Sequence, residues 1–402
     1  MAPRLQSANR QLIRQINESV VLGIIHDHGP ISRTEIADIA NLSPATISGI
    51  MNTLIRRGLV REQESGPSTG GRPRVLVEFA RDAGCVIGIK LTETQLIGAL
   101  TDLDTETIAQ RTIPLGPNRA PEAVVEQLDH LVKLLRAESS DRRFLGVGVG
   151  LAGATDRRAG VCRFSPYLPW RDVPLGPLLE QRVGKPVVIE NDVSALILAE
   201  RRLGGAELTD FIVVTLGRGV GMGMVLDGHP YRGGYGAGGE FGHITMDPHG
   251  PRCDCGKYGC LEALIGEPAL VRRISEICGQ ETSLAKGAQL ARAGNESLRA
   301  IFASAGETLG LALAAVINVL NPTRVTVGGE GVDMLDLLLE PMRAALTAHC
   351  FDGLFADVDL IVAPWGDDAW ARGAAGLVLD ELFHARLDVD LAAPISGIAG
   401  QS

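Results

Sequence analysis

A chain of 402 residues has room for two or three domains with sizeable cores, and 45% apolar with 21% charged residues is the balance of a soluble globular protein. The net charge of −10 is uneven: residues 1–81 hold ten Arg, no Lys and seven acidic residues, a net +3, so the remainder carries −13. A mildly basic head on an acidic body suits a nucleic-acid module attached to something else.

No uninterrupted apolar segment follows Arg4, Arg10 and Arg14, so no signal peptide is expected. Leu12, Ile16, Val20 and Ile24 recur every four residues and predict an amphipathic helix over Asn9–Asp27, ended by His28-Gly29-Pro30. Ser32 and Glu35 form a capping box for a second helix, with Ile36, Ile39 and Ala40 expected to face inward. Asn41-Leu42 makes a turn. Ser43 then caps a third helix with Pro44 at its first position, and Ile47, Ile50, Leu54 and Ile55 are its expected buried stripe. Such a pair is a helix-turn-helix, whose second helix turns its N-terminal residues to base edges in the major groove. Those residues are Ser43, Ala45, Thr46, Ser48 and Gly49, with Asn52 one turn on. A strand opening at Gly58-Leu59-Val60-Arg61 and a return at Val75-Leu76-Val77 predict a β-hairpin wing. Arg72 and Arg74 in its loop suit a narrow A·T-rich minor groove. Residues 1–80 therefore read as a winged helix-turn-helix DNA-binding domain; a three-helix protein-interaction bundle is the alternative.

After Arg81 the texture changes to apolar, β-branched runs between Gly-rich turns. Strands are expected at Cys85–Ile89, Leu96–Leu100, Leu145–Val149, Val187–Ile189, Phe211–Thr215, Gly223–Leu226, Val325–Val327 and Leu360–Ala363. Helices are expected at Ala120–Ala137, Val193–Arg202, Pro268–Ile277, Ala305–Val319 and Met334–His349. The alternation implies an α/β body with a largely parallel sheet. The apolar run around Leu309 to Val316 is too short to span a bilayer and reads as a buried helix. Gly148-x-Gly150-x-x-Gly153 is a weak dinucleotide fingerprint, because no ribose-binding acid is placed to complete it. Glu190-Asn191-Asp192 stands at the end of a strand, where ligands sit in open α/β sheets. There Asp192 can accept a proton from a hydroxyl and Asn191 can both donate and accept hydrogen bonds. A helix cap with no ligand fits the same residues. The glycines of Gly217-Arg218-Gly219-Val220-Gly221 let backbone N–H groups approach a phosphate.

His243, Cys253, Cys255 and Cys260 stand in the order H-x9-C-x-C-x4-C. Three thiolates and one imidazole make a closed tetrahedral set, so one structural zinc per chain is expected. The other four cysteines, Cys85, Cys162, Cys278 and Cys350, follow no pattern, which points to core thiols in a reducing cytoplasm.

The block Gly239-Glu240-Phe241-Gly242-His243, with the cysteines and Glu262, resembles the zinc and sugar segment of the ROK family, which groups sugar-responsive repressors with sugar kinases. The likeness runs over nearly all of residues 8–385. It implies a winged helix-turn-helix head and a two-lobed, duplicated actin-like (ribonuclease H-like) body with a cleft between the lobes. The first lobe would take residues 81–192 with a C-terminal helix at about 367–385, and the second residues 193–366 with the zinc loop. By resemblance Gly153, Asn191, Asp192, Glu240, His243 and Glu262 contact a sugar, Asp192 matches the kinases' general base, and Asn321–Gly329 matches their adenosine-side turn. The family's kinases carry Asp-x-Gly-Gly-Thr-Lys where this chain has Lys90-Leu91-Thr92-Glu93-Thr94-Gln95. Lys90 replaces the Asp, Thr92 and Glu93 replace the glycines, and a carboxylate facing triphosphate oxygens is repulsive. Phosphoryl transfer depends on positioning and charge neutralisation, so no kinase activity is expected. The implied protein is a cytoplasmic, sugar-sensing repressor of carbohydrate-use genes, acting as a homodimer or homotetramer on a pseudo-palindromic, A·T-rich operator, with no membrane partner. A sugar kinase with a DNA-binding head, or a body that docks a protein partner, are the alternatives.

Overall fold

The computed structural model describes residues 10–64, 75–139, 141–204, 208–234, 236–329, 331, 334–363 and 365–383. The head comprises α1 (Arg10–His28), β1 (Ile31–Ser32), α2 (Arg33–Ala40), α3 (Pro44–Arg56), β2 (Val60–Glu64) and β3 (Val75–Phe79). Both predicted caps are present. Glu35 N donates to Ser32 Oγ at 3.3 Å while Ser32 N donates to Glu35 Oε2 at 3.0 Å, and Thr46 N donates to Ser43 Oγ at 3.2 Å. β2 and β3 pair antiparallel from Val60↔Phe79 to Glu64↔Val75, forming the stem of the predicted wing, and β1 adds to β3. Arg72 and Arg74 lie outside the described residues.

The buried faces of the first two helices differ from expectation. In α1 the core side is Glu18, Val21, Leu22 and Ile25, whereas Ile16 and Val20 are 47% and 46% exposed. The true stripe has regular i, i+3, i+4, i+7 spacing but includes a charge, so apolar periodicity skips it. Glu18 is tolerated there because Arg14 and Arg57 reach its carboxylate at 3.0 and 3.2 Å. In α2, Ile36 and Ala37 are buried and Ile39 is exposed; in α3, Met51 takes the inward place expected of Ile55, which is only partly buried.

The body opens with β4 (Cys85–Leu91), β5 (Gln95–Thr101), β6 (Thr107–Pro114), α4 (Pro121–Ala137), β7 (Phe144–Leu151), β8 (Ala154–Asp156), β9 (Val161–Phe164), β10 (Arg171–Val173), α5 (Leu175–Val183) and β11 (Val187–Asn191). It continues with α6 (Asp192–Gly204), β12 (Phe211–Leu216), β13 (Val220–Leu226), β14 (His229–Pro230), α7 (Leu261–Ile265), α8 (Glu267–Cys278), α9 (Leu284–Arg292), α10 (Glu296–Leu320), β15 (Arg324–Gly328), α11 (Leu335–His349), β16 (Asp359–Ala363) and α12 (Asp367–Phe383). Two five-stranded sheets run β11-β7-β4-β5-β6 and β14-β13-β12-β15-β16. Counted within each sheet, both have the same strand order, which is the duplication expected of an actin-like body.

The sheets are mixed, not largely parallel. β4, β5 and β6 form an antiparallel meander and β12 pairs antiparallel with β13, while β15 runs parallel to both β12 and β16. The turns 92–94 and 217–219 are too short for the crossover that a parallel pair needs. β6 escaped prediction because it buries neither face and so carries no apolar alternation. α10 begins nine residues before the predicted Ala305, capped by Asn295, whose Oδ1 accepts from Leu298 N at 3.0 Å. That 25-residue helix is long and apolar enough to cross a membrane, and its inward face, including Leu298, Phe302, Leu309 and Leu313, is wholly buried against α11 and the second sheet.

Two compact units emerge: residues 1–149, 174–189 and 374–402, and residues 150–173 with 190–373. The boundary expected at 192/193 therefore moves, since 150–173 and 190–192 group with the second unit. Within the first unit Gly148 lies inside β7, not in a turn, and a Cβ there would stand 1.7 Å from the Ala374 carbonyl oxygen. Gly148→Ala is therefore expected to destabilise the protein by about 1–3 kcal/mol through overpacking. A chemical-unfolding midpoint equal to that of the wild type would refute this close approach of α12 to β7.

Candidate metal centre and ligand-binding residues

The segment from His243 to Cys260 folds back on itself through its own backbone. Cys253 N donates to Lys257 O at 2.8 Å, Gly256 N to Cys253 O at 2.9 Å, and Thr245 bridges Cys260. Lys257 Nζ donates to the His243 carbonyl at 2.6 Å. At Gly259, φ is +62° and a Cβ would fall 1.4 Å from the Asp247 carbonyl oxygen, so no side chain fits.

The closure gathers one ligand atom from each of His243, Cys253, Cys255 and Cys260 within 4.8 Å of one another. Cys253 Sγ lies 3.6 Å from His243 Nδ1, and Cys255 Sγ lies 3.6 Å from Cys260 Sγ. Ligands at zinc distances of about 2.0–2.3 Å on a tetrahedron stand roughly 3.4–3.8 Å apart, so these atoms fit a single ion. None of the cysteines is in a disulfide. Burial pushes the Cys253 thiol up to about 12, so a bound dication would have to displace its proton.

Since Nδ1 of His243 faces the thiols, Nε2 is the nitrogen left for another partner, and Glu240 Oε2 lies 3.9 Å from it. Glu262, at the start of α7, accepts from Val220 N at 3.1 Å, and its Oε1 is 4.0 Å from Cys253 Sγ. Burial raises the pKa of that carboxyl. Glu240, His243 and Glu262 thus border one cluster.

A second cluster forms where β11 gives way to α6. Asn191 Nδ2 donates to Gly153 O at 3.1 Å, and its Oδ1 accepts from Ser194 N at 3.1 Å. Asp192 Oδ1 accepts from Val193 N at 3.0 Å. Asn191 thus caps α6 through its side chain, which fixes its orientation. Gly153, with φ +118°, is the one residue of the Gly148-x-Gly150-x-x-Gly153 motif in a turn; the other two are strand residues. Glu190, marked in the sequence only as part of the Glu190-Asn191-Asp192 run, links this cluster through Arg232 to the glycine run before Glu240, and no spacing in the sequence marks Arg232.

The turn at 92–94, which the resemblance sets against the kinases' first phosphate loop, is closed by a side chain. Thr92 Oγ1 donates to Gln95 O at 2.9 Å and accepts from Gln95 N at 3.0 Å and Thr94 N at 3.3 Å. The Arg119 guanidinium takes the Glu93 carbonyl at 2.8 Å, and Lys90 is buried in β4. In the second such turn the Arg218 guanidinium lies 5.0 Å over the ring of Tyr167, another unanticipated residue.

In the head, Ser43, Ala45, Ser48, Gly49 and Asn52 are exposed along one side of α3, and Thr46 is half-buried, 2.9 Å from Ser43 Oγ through its hydroxyl. The predicted groove-facing side is thus open and made of small or polar groups.

Sequence comparison finds the ROK family over residues 86–381 and the MarR family over residues 15–65. The chain is 30% identical over 390 residues to the xylose repressor of Caldicellulosiruptor bescii, covering 93% of this chain and 98% of that protein. Among solved structures it is similar to a ROK family transcriptional regulator described as a homolog of the E. coli MLC protein, with TM-score 0.85 and 26% identity over 93% of this chain and 98% of the other. It is also similar to a ROK family glucokinase from Streptomyces griseus crystallised with glucose and AMPPNP, with TM-score 0.63 and 28% identity over 73% of this chain and 99% of the other.

Protein purified without chelator should carry about one metal ion per chain at the Cys3His cluster. Cys255→Ser should lose it, because three remaining ligands no longer close the set. Elemental analysis giving equal metal in both proteins would exclude the cluster as the binding site.

Proposed function

The chain belongs to the ROK family, and we propose that it is a sugar-responsive DNA-binding repressor of genes for carbohydrate uptake or catabolism. One juxtaposition carries this reading. A winged helix-turn-helix with an open recognition helix shares the chain with a body whose hydroxyl-binding candidates cluster, while its first phosphate turn is spent on itself. The similarity to a xylose repressor over 93% of the chain supports it.

In this reading His243, Cys253, Cys255 and Cys260 hold a zinc ion, which when bound supplies a fixed tetrahedral tether and no catalysis. His243 then presents Nε2 to a sugar hydroxyl, with its ring orientation set by the ligated Nδ1. Glu240, Glu262 and Asp192 accept hydrogen bonds from further hydroxyls, Asn191 orients beside Asp192, and the Gly153 backbone lines the sugar. These four side chains can discriminate a sugar because each leaves an unpaired polar group if its hydroxyl is missing. The sugar shifts DNA binding insofar as it favours one arrangement of the body over another.

The kinase alternative is disfavoured by the same turn. Backbone groups of Thr94 and Gln95 that would approach a phosphate are engaged by Thr92, and Lys90 stands where the family's kinases place a carboxylate. On DNA, Ser43, Ala45, Thr46, Ser48 and Asn52 face the major groove while Arg72 and Arg74 enter an A·T-rich minor groove. One head reads few base pairs, so a homodimer or homotetramer on a pseudo-palindrome is required for a useful operator. Such a repressor works in the cytoplasm, where its free thiols are stable.

Isothermal titration against a panel of D-xylose, D-glucose and N-acetylglucosamine should find a sugar that binds, with no ATP-dependent phosphorylation of it. Asp192→Asn should weaken that binding by about 1.5–3 kcal/mol through loss of a charge-assisted hydrogen bond. Sugar turnover that disappears in Asp192→Asn would identify a kinase instead. Arg72→Ala, tested on an operator found by footprinting, should reduce the slope of log affinity against log salt by about one and leave sugar affinity unchanged. Wild-type affinity and slope in that variant would remove the wing from the interface.

A further inference from the structure

We propose that Glu190 is the positioning residue of the sugar site, holding together the three chain segments that carry its contact groups; this rests on the sugar reading above. Glu190 is 2% exposed. Its Oε1 accepts from Thr155 Oγ1 at 3.0 Å and from Asn191 N at 3.0 Å. Its Oε2 accepts from Arg232 Nε at 2.7 Å, and Arg157 Nη1 lies 3.8 Å away. Both oxygens are engaged by protein groups, and the side chain is buried. Glu190 therefore acts through its partners and does not itself touch the sugar.

Each partner belongs to a different part of the site. Thr155 follows Gly153 by two residues, and the Asn191 backbone leads into Asp192. Arg232 opens the glycine run that ends at Glu240. The run is tied to that arginine, since Gly238 N donates to Arg232 O at 3.0 Å. It also packs tightly on its surroundings: a Cβ at Gly236 would come 2.3 Å from Thr155 O, and one at Gly239 would come 2.2 Å from Met222 O. A shift of Arg232 must therefore move the approach to Glu240 and His243.

Charge makes the arrangement sensitive to one substitution. Two guanidinium groups converge on a single buried carboxylate, and Arg232 Nη2 is itself buried with no hydrogen-bond partner among the described residues. Removing the negative charge takes away the carboxylate that both Arg232 and Arg157 approach and weakens the hold on the Arg232 guanidinium. Arg232, on a loop, has more freedom to move than Arg157, whose side chain is 7% exposed.

The test uses the full-length protein, the panel sugar that binds the wild type, and hydrogen exchange read over residues 232–243. Glu190→Gln should weaken the sugar by roughly 10- to 100-fold, the scale of a lost charge-assisted hydrogen bond, with metal content and operator binding unchanged. Exchange over 232–240 should accelerate. Arg232→Gln should match this loss, Arg232→Lys should restore part of it, and the double variant should be no weaker than the weaker single one. Wild-type sugar affinity in Glu190→Gln, or losses that simply add, would overturn the proposal. If Glu190→Gln does not fold, Arg232→Gln and its lysine rescue carry the same test. Should the wild type bind no sugar of the panel, the sugar reading falls. Exchange then decides the positioning role, which is lost if 232–240 exchanges alike in wild type and variant.

Discussion

The Asp247 carbonyl occupies the space that any side chain at position 259 would need, and the candidate site depends on that contact. Because Gly259 admits it, the chain turns back and Cys260 reaches Cys253, Cys255 and His243. The same turn starts α7, so Glu262 is delivered to the Val220 amide by the closure that gathers the four candidate ligands. One backbone contact therefore bears on the geometry of those four side chains and on the placement of a buried carboxylate. The burial that raises the Glu262 carboxyl pKa is a consequence of the same packing.

The body repeats one scaffold. Both sheets use the same strand order, and in each the first hairpin closes through a three-residue turn. In this chain the first turn is satisfied internally by the Thr92 hydroxyl, and the second carries Arg218 stacked on Tyr167.

In the head, local chemistry was sufficient for the element boundaries. Ser32 with Glu35 and Ser43 with Thr46 are short-range pairs three residues apart, Pro44 stands at the first helical position, and each is where it was expected. The inward face of α1 was not legible in the same way. Apolar residues lie on several sides of that helix, and its core stripe passes through Glu18, whose acceptability depends on Arg57, 39 residues distant.

By itself the sequence determined the family, the order of head and body, the strand and helix sites with strong periodicity, and the four metal-type ligands. Those features rest on spacing along the chain, which caps, glycines and thiols record directly. Only the tertiary structure decided the mixed direction of the sheets, the grouping of residues 150–173 and 190–192, the burial of Ala37 in place of Ile39, and the partners of Glu190. Each of these depends on partners far apart in sequence. The Glu190 carboxylate is acceptable in the interior because Thr155, Arg157 and Arg232 converge on it, and no local pattern around Glu190 encodes their approach.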